Sequence, residues 1–308
     1  MSSSTAFIFP GQGSQKVGML AEIAAQEAIV NDTLVEASDI LGFDLRGMIL
    51  EGPADALNST ENTQPALLTS SVALWRLWQA RGGAQPEFVA GHSLGEYSAL
   101  VAGGVLSFAD AVHLVRNRGI YMQEAVPPGE GAMAAVLGLD DEKVIELCQD
   151  TAQDGEVLSA VNFNAPGQVV IAGSAVAVER AATVFAEAGA RKVMPLPVSV
   201  PSHCALMKPA AERLAKDLDS IMLSAPSISV VQNVTASVAN DVNVIRTNLV
   251  SQLSQPVRWV ESVRYMVSNG VAGFNECGPG KVLAGLGKRI ERSVPVVGME
   301  NLSALPDA

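Results

Sequence analysis

Short apolar runs alternate with longer stretches of helical period along most of the chain. Residues 6–9 (AFIF) read as a strand that runs into the Gly-rich turn of PGQGSQ. Residues 20–40 and 65–81 repeat their apolar positions at helical spacing, the second stretch following the turn-rich STENTQP. A strand over 87–90 leads into another helix. Residues 107–123 open on Ser-x-x-Asp, a capping signal, and continue as a helix, after which PPGEG at 127–131 breaks the pattern.

Segment 131–199 has its own rhythm. GAMAAVLG reads as a strand, DDEKVIELCQDTA as a helix, VLSAVNFN and QVVIAG as two strands joined by APG, AVAVERAATVFAEAGA as a helix and RKVMPLPV as a strand. That β-α-β-β-α-β order is the split unit of ferredoxin-like domains and predicts a small subdomain over 128–199, inserted into a larger domain made of 1–127 and 200–308. Beyond it the pattern predicts a helix over 205–220, a strand over 228–235, helices over 243–253 and 257–269, a strand over 271–276, a helix over 281–291 and a strand near 295–299. Alternating strands and helices place the chain in the α/β class, with a mostly parallel sheet covered on both faces.

Composition narrows the function. With 308 residues, 48% hydrophobic and 17% charged, the chain can bury a substantial core. A net charge of −12 without a basic stripe argues against nucleic acid as a partner. No apolar run is long enough to span a bilayer, and the N-terminus lacks the basic and apolar regions of a signal peptide. Cys148, Cys204 and Cys277 are an odd, scattered set with no metal-ligand spacing, as expected of a cytoplasmic protein.

The chemistry concentrates at residues 88–96, FVAGHSLGE, where an apolar strand end meets G-x-S-x-G and then a helix. The glycines at 91 and 95 permit a sharp strand-to-helix turn that lifts the Ser93 hydroxyl above the sheet, and the N–H of Leu94 lies where it can stabilise an oxyanion. The pentapeptide is common by chance; its strand-turn-helix setting is what points to covalent acyl chemistry. An activated serine needs a base, and there are three histidines. His92 sits inside the turn, with its side chain expected to point away from Ser93. His113 shares a helix face with Arg116, Asn117 and Ile120, which reads as solvated. His203, in the loop PVSVPSHCALM, remains as the general base. No aspartate offers itself as a third member. Glu276 could orient His203 or serve its own turn, and a backbone carbonyl would do as well. Arg118 falls on one helix face with Ala111, Val115 and Met122, and needs an anionic partner there. A buried structural salt bridge and a bidentate clamp for a substrate carboxylate are equally compatible with that position. GQGSQ at 11–15 is not a dinucleotide fingerprint, and GPGKVLAGLGKR has Leu286 where a P-loop needs lysine.

Taken together, FPGQGSQ, TQPAL, GHSLGEYSALVAGG, the Arg118 helix, NFNAPGQVVIAG, PVSVPSHCALM, QLSQPVRW and ECGPGKVL resemble the malonyl-CoA:acyl carrier protein transacylases of bacterial fatty-acid synthesis, from about residue 6 to residue 300. The resemblance implies an α/β-hydrolase-like large domain, a ferredoxin-like subdomain and a cleft site between them. It implies Ser93 as nucleophile, His203 as base held by the main-chain carbonyl of Gln252, and the N–H groups of Gln12 and Leu94 as oxyanion hole. Arg118 would bind the malonyl carboxylate, with Gln64, Met122 and Asn164 at the pocket. It further implies a cytoplasmic acyltransferase with malonyl-CoA and holo-acyl carrier protein as substrates, working by ping-pong through a malonyl-serine without a bound cofactor, and a monomer that engages neither membrane nor nucleic acid. Lys288, Arg289 and Arg292 form a candidate basic patch for the carrier protein. A serine hydrolase shares the Gly-Ser turn, but has no use for an arginine in its acyl pocket.

Overall fold

A computed structural model describes residues 4–198 and 200–306; the ends of the expected domain spans at 1–3, 199 and 307–308 lie outside the described residues. The apolar run near the N-terminus forms β1 (Ser4–Phe9), which pairs in parallel with β2 (Phe88–Gly91) on one side and β9 (Val271–Glu276) on the other. Parallel β10 (Val296–Gly298) extends the sheet beyond β9. Next to β2 lies parallel β7 (Ser229–Gln232), with the short β8 (Ser237–Val238) antiparallel at the edge, giving the order β10-β9-β1-β2-β7-β8. All four residues of β2 are buried, as a strand in a sheet covered on both faces requires.

Strand alternation splits the core in two. Phe7, Phe9 and Val89 face a layer that includes α1 (Ala21–Gln26), α2 (Ala28–Leu41), α5 (Thr60–Ala80), α6 (Gly95–Ala102), α7 (Phe108–Glu124), α10 (Lys208–Ser220) and α11 (Val242–Gln252). Ala6, Ile8, Phe88 and Ala90 face α12 (Trp259–Ser268) and α13 (Val282–Ile290). No helix among the described residues is long and apolar enough to cross a membrane.

Several elements depart from the sequence pattern. The helix expected over 20–40 is two, because Glu27 takes extended dihedrals (φ −119°, ψ 102°) and pairs with Arg81. The helix expected to begin at 65 begins at Thr60 and runs through Pro65. A proline near a helix start removes few ladder bonds, and the Thr63 hydroxyl satisfies the carbonyls of Leu57 (2.6 Å) and Ser59 (3.1 Å). Two short helices were not anticipated: α3 (Leu45–Glu51), whose N-cap Asp44 accepts from Gly47 N–H at 2.7 Å, and α4 (Ala54–Asn58). The strand over 228–235 stops at Gln232, since Asn233 donates its N–H to a side chain of α6 instead of to a neighbouring strand.

Segment 131–198 contributes β3 (Gly131–Leu137), α8 (Asp141–Thr151), β4 (Leu158–Ala165), β5 (Gln168–Ser174), α9 (Ala175–Glu187) and β6 (Lys192–Pro195). Its strands form a separate antiparallel sheet in the order β4-β5-β3-β6. One face, with Val136, Ile171 and Val169, packs on α8 and α9 through Leu147 and Phe185. The other, with Met133, Val161, Val170 and Ala172, turns toward Cys204 and Leu206 of the main body. Two backbone bonds tie β4 to the start of α12: Phe163 N–H to Val257 O (3.0 Å) and Val257 N–H to Val161 O (2.9 Å). That use of Val257 is why α12 starts at Trp259 instead of 257.

Candidate active site

The turn after β2 is tight enough to dictate its glycines. A Cβ on Gly91 would sit 1.9 Å from the Gly95 carbonyl carbon, and one on Gly95 2.0 Å from Phe9 O. Between them Ser93 is held at φ 52°, a left-handed conformation that costs a non-glycine residue about 1–3 kcal/mol. Asn233 fastens the turn from the end of β7: its Oδ1 accepts from Ser93 N–H at 2.7 Å, and its Nδ2 donates to Gly91 O at 2.6 Å.

Ser93 Oγ lies 2.8 Å from His203 Nε2. His203 is the second strained residue, at φ 65°, with its N–H bonded to Leu253 O at 3.0 Å. Its Nδ1–H donates to the main-chain carbonyl of Gln252 at 2.6 Å, which leaves the Nε2 lone pair facing the serine. Gln252 ends α11, and carbonyls of a last helical turn have no partner within the helix, so one is free to orient an imidazole. Glu276 does not orient the histidine. It is fully buried and accepts from Leu283 N–H (2.9 Å) and Ala284 N–H (2.7 Å), capping α13. Burial, reinforced by the charge of Arg118, depresses His203 to about 3, so the ring is neutral at neutral pH.

Arg118, 1% exposed, projects from α7 to the same point. Its Nη2 donates to Ser93 Oγ (3.3 Å) and to Gln252 Oε1 (3.1 Å), and its Nη1 to Gln64 Oε1 (2.8 Å). The apolar periodicity of its own helix face suggested few polar neighbours. Two glutamine oxygens from α5 and α11 supply them, and no single-helix pattern could reveal residues contributed by other elements. Nε is buried without a partner among the described residues.

A cavity of about 190 Å³ opens over this cluster, lined by Gly11, Gln12, Ser93, Leu94, Arg118, Met122, Asn164 and His203. Its apolar wall comes from the antiparallel sheet (Met133, Val170) and from α13 (Leu283, Leu286), residues that the sequence pattern placed on strands and a helix without a role at the site. Gln64 lies one layer behind, bonded to Arg118, and does not line the cavity. Among the described residues neither the Gln12 nor the Leu94 N–H has a hydrogen-bond acceptor. His92 turns to β4, where Nε2 meets Asn164 Oδ1 at 2.7 Å, and packs edge-on to Trp259. His113 is exposed, as its polar helix face suggested.

Sequence reasoning missed the support beneath the serine. Glu96 Oε2 accepts from Asn233 N–H (3.0 Å) and Gln252 Nε2 (2.9 Å), and its Oε1 from Gln232 Nε2 (3.3 Å). All four residues are fully buried. Burial pushes the Glu96 carboxyl up to about 7 against the opposing pull of these bonds and of Arg118. A glutamate inside an apolar helix and a Gln-Asn pair ending an apolar strand were the available signals.

The sheet and the hydrogen-bonded serine–histidine pair define an α/β protein equipped for acyl chemistry, and the acyl transferase domain family matches over residues 6–301. The malonyl CoA-acyl carrier protein transacylase of Salmonella typhimurium is 56% identical over 303 residues, covering 98% of each chain. An acyl carrier protein S-malonyltransferase from Vibrio cholerae superposes with TM-score 0.96 at 54% identity, covering 98% of each chain. A malonyl-transacylase solved in complex with a type II PKS acyl-carrier protein gives TM-score 0.96 at 51% identity, covering 98% of this chain and 97% of that one. The chain belongs to the family of malonyl CoA-acyl carrier protein transacylases.

Proposed function

We propose that this chain transfers the malonyl group of malonyl-CoA to the phosphopantetheine thiol of acyl carrier protein through a malonyl-Ser93 intermediate, supplying fatty-acid elongation. The observation that carries the reading is the cation beside the nucleophile, with Arg118 Nη2 3.3 Å from Ser93 Oγ. A malonyl thioester places its carboxylate one methylene from the carbonyl under attack, so an acyl group poised at Ser93 carries its anion to Arg118. An arginine fork meets a carboxylate with two donors.

In this reading His203 Nε2 takes the Ser93 proton as Oγ attacks the thioester carbonyl. The N–H groups of Gln12 and Leu94, two residues that line the cavity, hold the tetrahedral oxyanion. Coenzyme A leaves as its sulfur takes the proton from His203. The carrier thiol then gives its proton to the same nitrogen and attacks the malonyl ester, and collapse of the second tetrahedral intermediate returns the proton to Ser93. The carboxylate of bound malonate also offsets the Arg118 charge that helps to depress His203, which makes the base stronger once substrate is in place. Each step is carried by side chains and main-chain amides.

The same reading takes 1–127 with 200–308 as an α/β-hydrolase-like domain and 128–199 as a ferredoxin-like insertion. The β4-β5-β3-β6 order, antiparallel throughout with both helices on one face, supports the second assignment. It takes the enzyme as a cytoplasmic monomer. The test is intact-mass spectrometry after mixing with malonyl-CoA. A malonyl adduct should form, disappear on adding holo-acyl carrier protein, and be absent in Ser93→Ala; an adduct of undiminished stoichiometry in that variant moves the nucleophile elsewhere.

A further inference from the structure

Glu96 lies on the first turn of α6, three residues after Ser93, fully buried and without an ion pair among the described residues. Every group that reaches its carboxylate is a donor: the N–H of Asn233 and the side-chain amides of Gln252 and Gln232. Gln252 is the member with two allegiances. Its Nε2 donates to Glu96 Oε2 and to Ser93 O, each at 2.9 Å, and its Oε1 faces Arg118 Nη2 at 3.1 Å. The two ends of a glutamine amide have nearly the same shape, so only hydrogen bonding decides which end points where. Turned over, this amide would set its N–H₂ against a guanidinium and its oxygen against a carboxylate and a carbonyl.

Glu96 Oε2 accepts from Asn233 N–H and from Gln252 Nε2, and an oxygen already in that accepting role demands the N–H₂ end of Gln252. The oxygen end is then committed to Arg118. We propose that Glu96 is a positioning residue for recognition of the acyl carboxylate: it holds the Gln252 amide with its oxygen toward Arg118 and thereby sets where the guanidinium stands in the pocket. This rests on the role given to Arg118 above. Glutamine at position 96 fills the same space but can donate as well as accept, so only Ser93 O and Arg118 itself are left to hold the Gln252 amide in its orientation, and that hold is weaker by one charge-assisted bond.

The test is a double-mutant cycle read as a substrate ratio. The kcat/KM values for malonyl-CoA and acetyl-CoA are measured for the wild type, Glu96→Gln, Arg118→Ala and the double variant. Effects on Ser93, His203 or the turn strike both substrates and cancel in the malonyl-to-acetyl ratio. Glu96→Gln should lower that ratio by about tenfold, the scale of one lost charge-assisted hydrogen bond. It should lower it no further in the Arg118→Ala background, because residues acting through one contact chain are not additive. Equal loss of both substrates assigns Glu96 to the fold alone and overturns the proposal, as does a full additional loss in the double variant. An unchanged ratio in Arg118→Ala overturns the carboxylate clamp itself, an outcome separable from failure of the Glu96 step. Should Glu96→Gln not be recovered folded, Glu96→Asp carries the same cycle, since it keeps the anion and withdraws it from Gln252 by one methylene. A smaller fall in the ratio, absent once Arg118 is gone, supports the proposal, and a fall independent of Arg118 overturns it.

Discussion

Arg118 is buried, makes three hydrogen bonds to neutral groups and, among the described residues, keeps an unpartnered Nε. A guanidinium in that state is held in place without a direct ion pair among the described residues, so an incoming carboxylate adds charge pairing without displacing another anion. Removing one partner of a desolvated pair costs about 2–5 kcal/mol, and tenfold in rate is about 1.4 kcal/mol. Arg118→Ala is therefore expected to lower kcat/KM for malonyl transfer by roughly 30-fold to 3,000-fold. The same substitution strips Gln64 Oε1 and Gln252 Oε1 of their donor. Acetyl transfer is expected to change far less, by what that rearrangement costs. Parallel kinetics with the two thioesters check this, and equal losses would make Arg118 a structural arginine.

At the scale of elements, the pocket depends on how closely α5 and α7 approach. Gly119, next to Arg118, is where they touch: a Cβ there would lie 2.7 Å from Glu61 Cα and 2.8 Å from Thr60 O. Those are backbone atoms of the first turn of α5, which also leads to Gln64, the partner of Arg118. Alanine would raise helix propensity by about 0.8–1.0 kcal/mol, but overpacking against backbone costs about 1–3 kcal/mol. The clash should win. Gly119→Ala is expected to be destabilised in urea unfolding by up to about 2 kcal/mol and to lose malonyl transfer more than acetyl transfer. A stabilised variant with unaltered kinetics would mean that α5 shifts without cost.

For the molecule as a whole, a net charge of −12 means that an acidic carrier protein could dock only on a local basic patch. Lys288 and Arg289 are exposed on the last turn of α13, with Arg292 exposed just beyond it, while Leu283 and Leu286 of the same helix line the cavity. Arg289 is engaged by the Gln168 side chain of β5, so Lys288 and Arg292 are the cleaner probes. Lys288→Glu combined with Arg292→Glu should raise KM for the carrier protein severalfold, mostly at low salt, and spare KM for malonyl-CoA, because rim charges act through association. Steady-state kinetics at two ionic strengths decide it, and equal effects on both substrates would reject the patch.

What the sequence determined by itself is local. Gly91, Ser93 and Gly95 are legible because one turn's backbone geometry dictates all three; the Ser107 cap of α7 and the alternation of strands and helices are legible for the same reason. Scarcity of histidine singled out His203. The tertiary structure decided whatever joins distant elements. Ser93 meets Asn233 across 140 residues, Arg118 meets Gln252 across 134, and the carbonyl that orients His203 is a backbone atom that no side-chain pattern can mark. STENTQP reads as a turn that leads into a helix at Pro65, until packing starts that helix at Thr60 and carries it through the proline. Glu276 reads equally as a partner for His203 or for its own turn until the start of α13 claims both its oxygens. Propensity and periodicity act over one or two turns of chain, whereas the choice of partner for a buried polar group depends on which elements pack together.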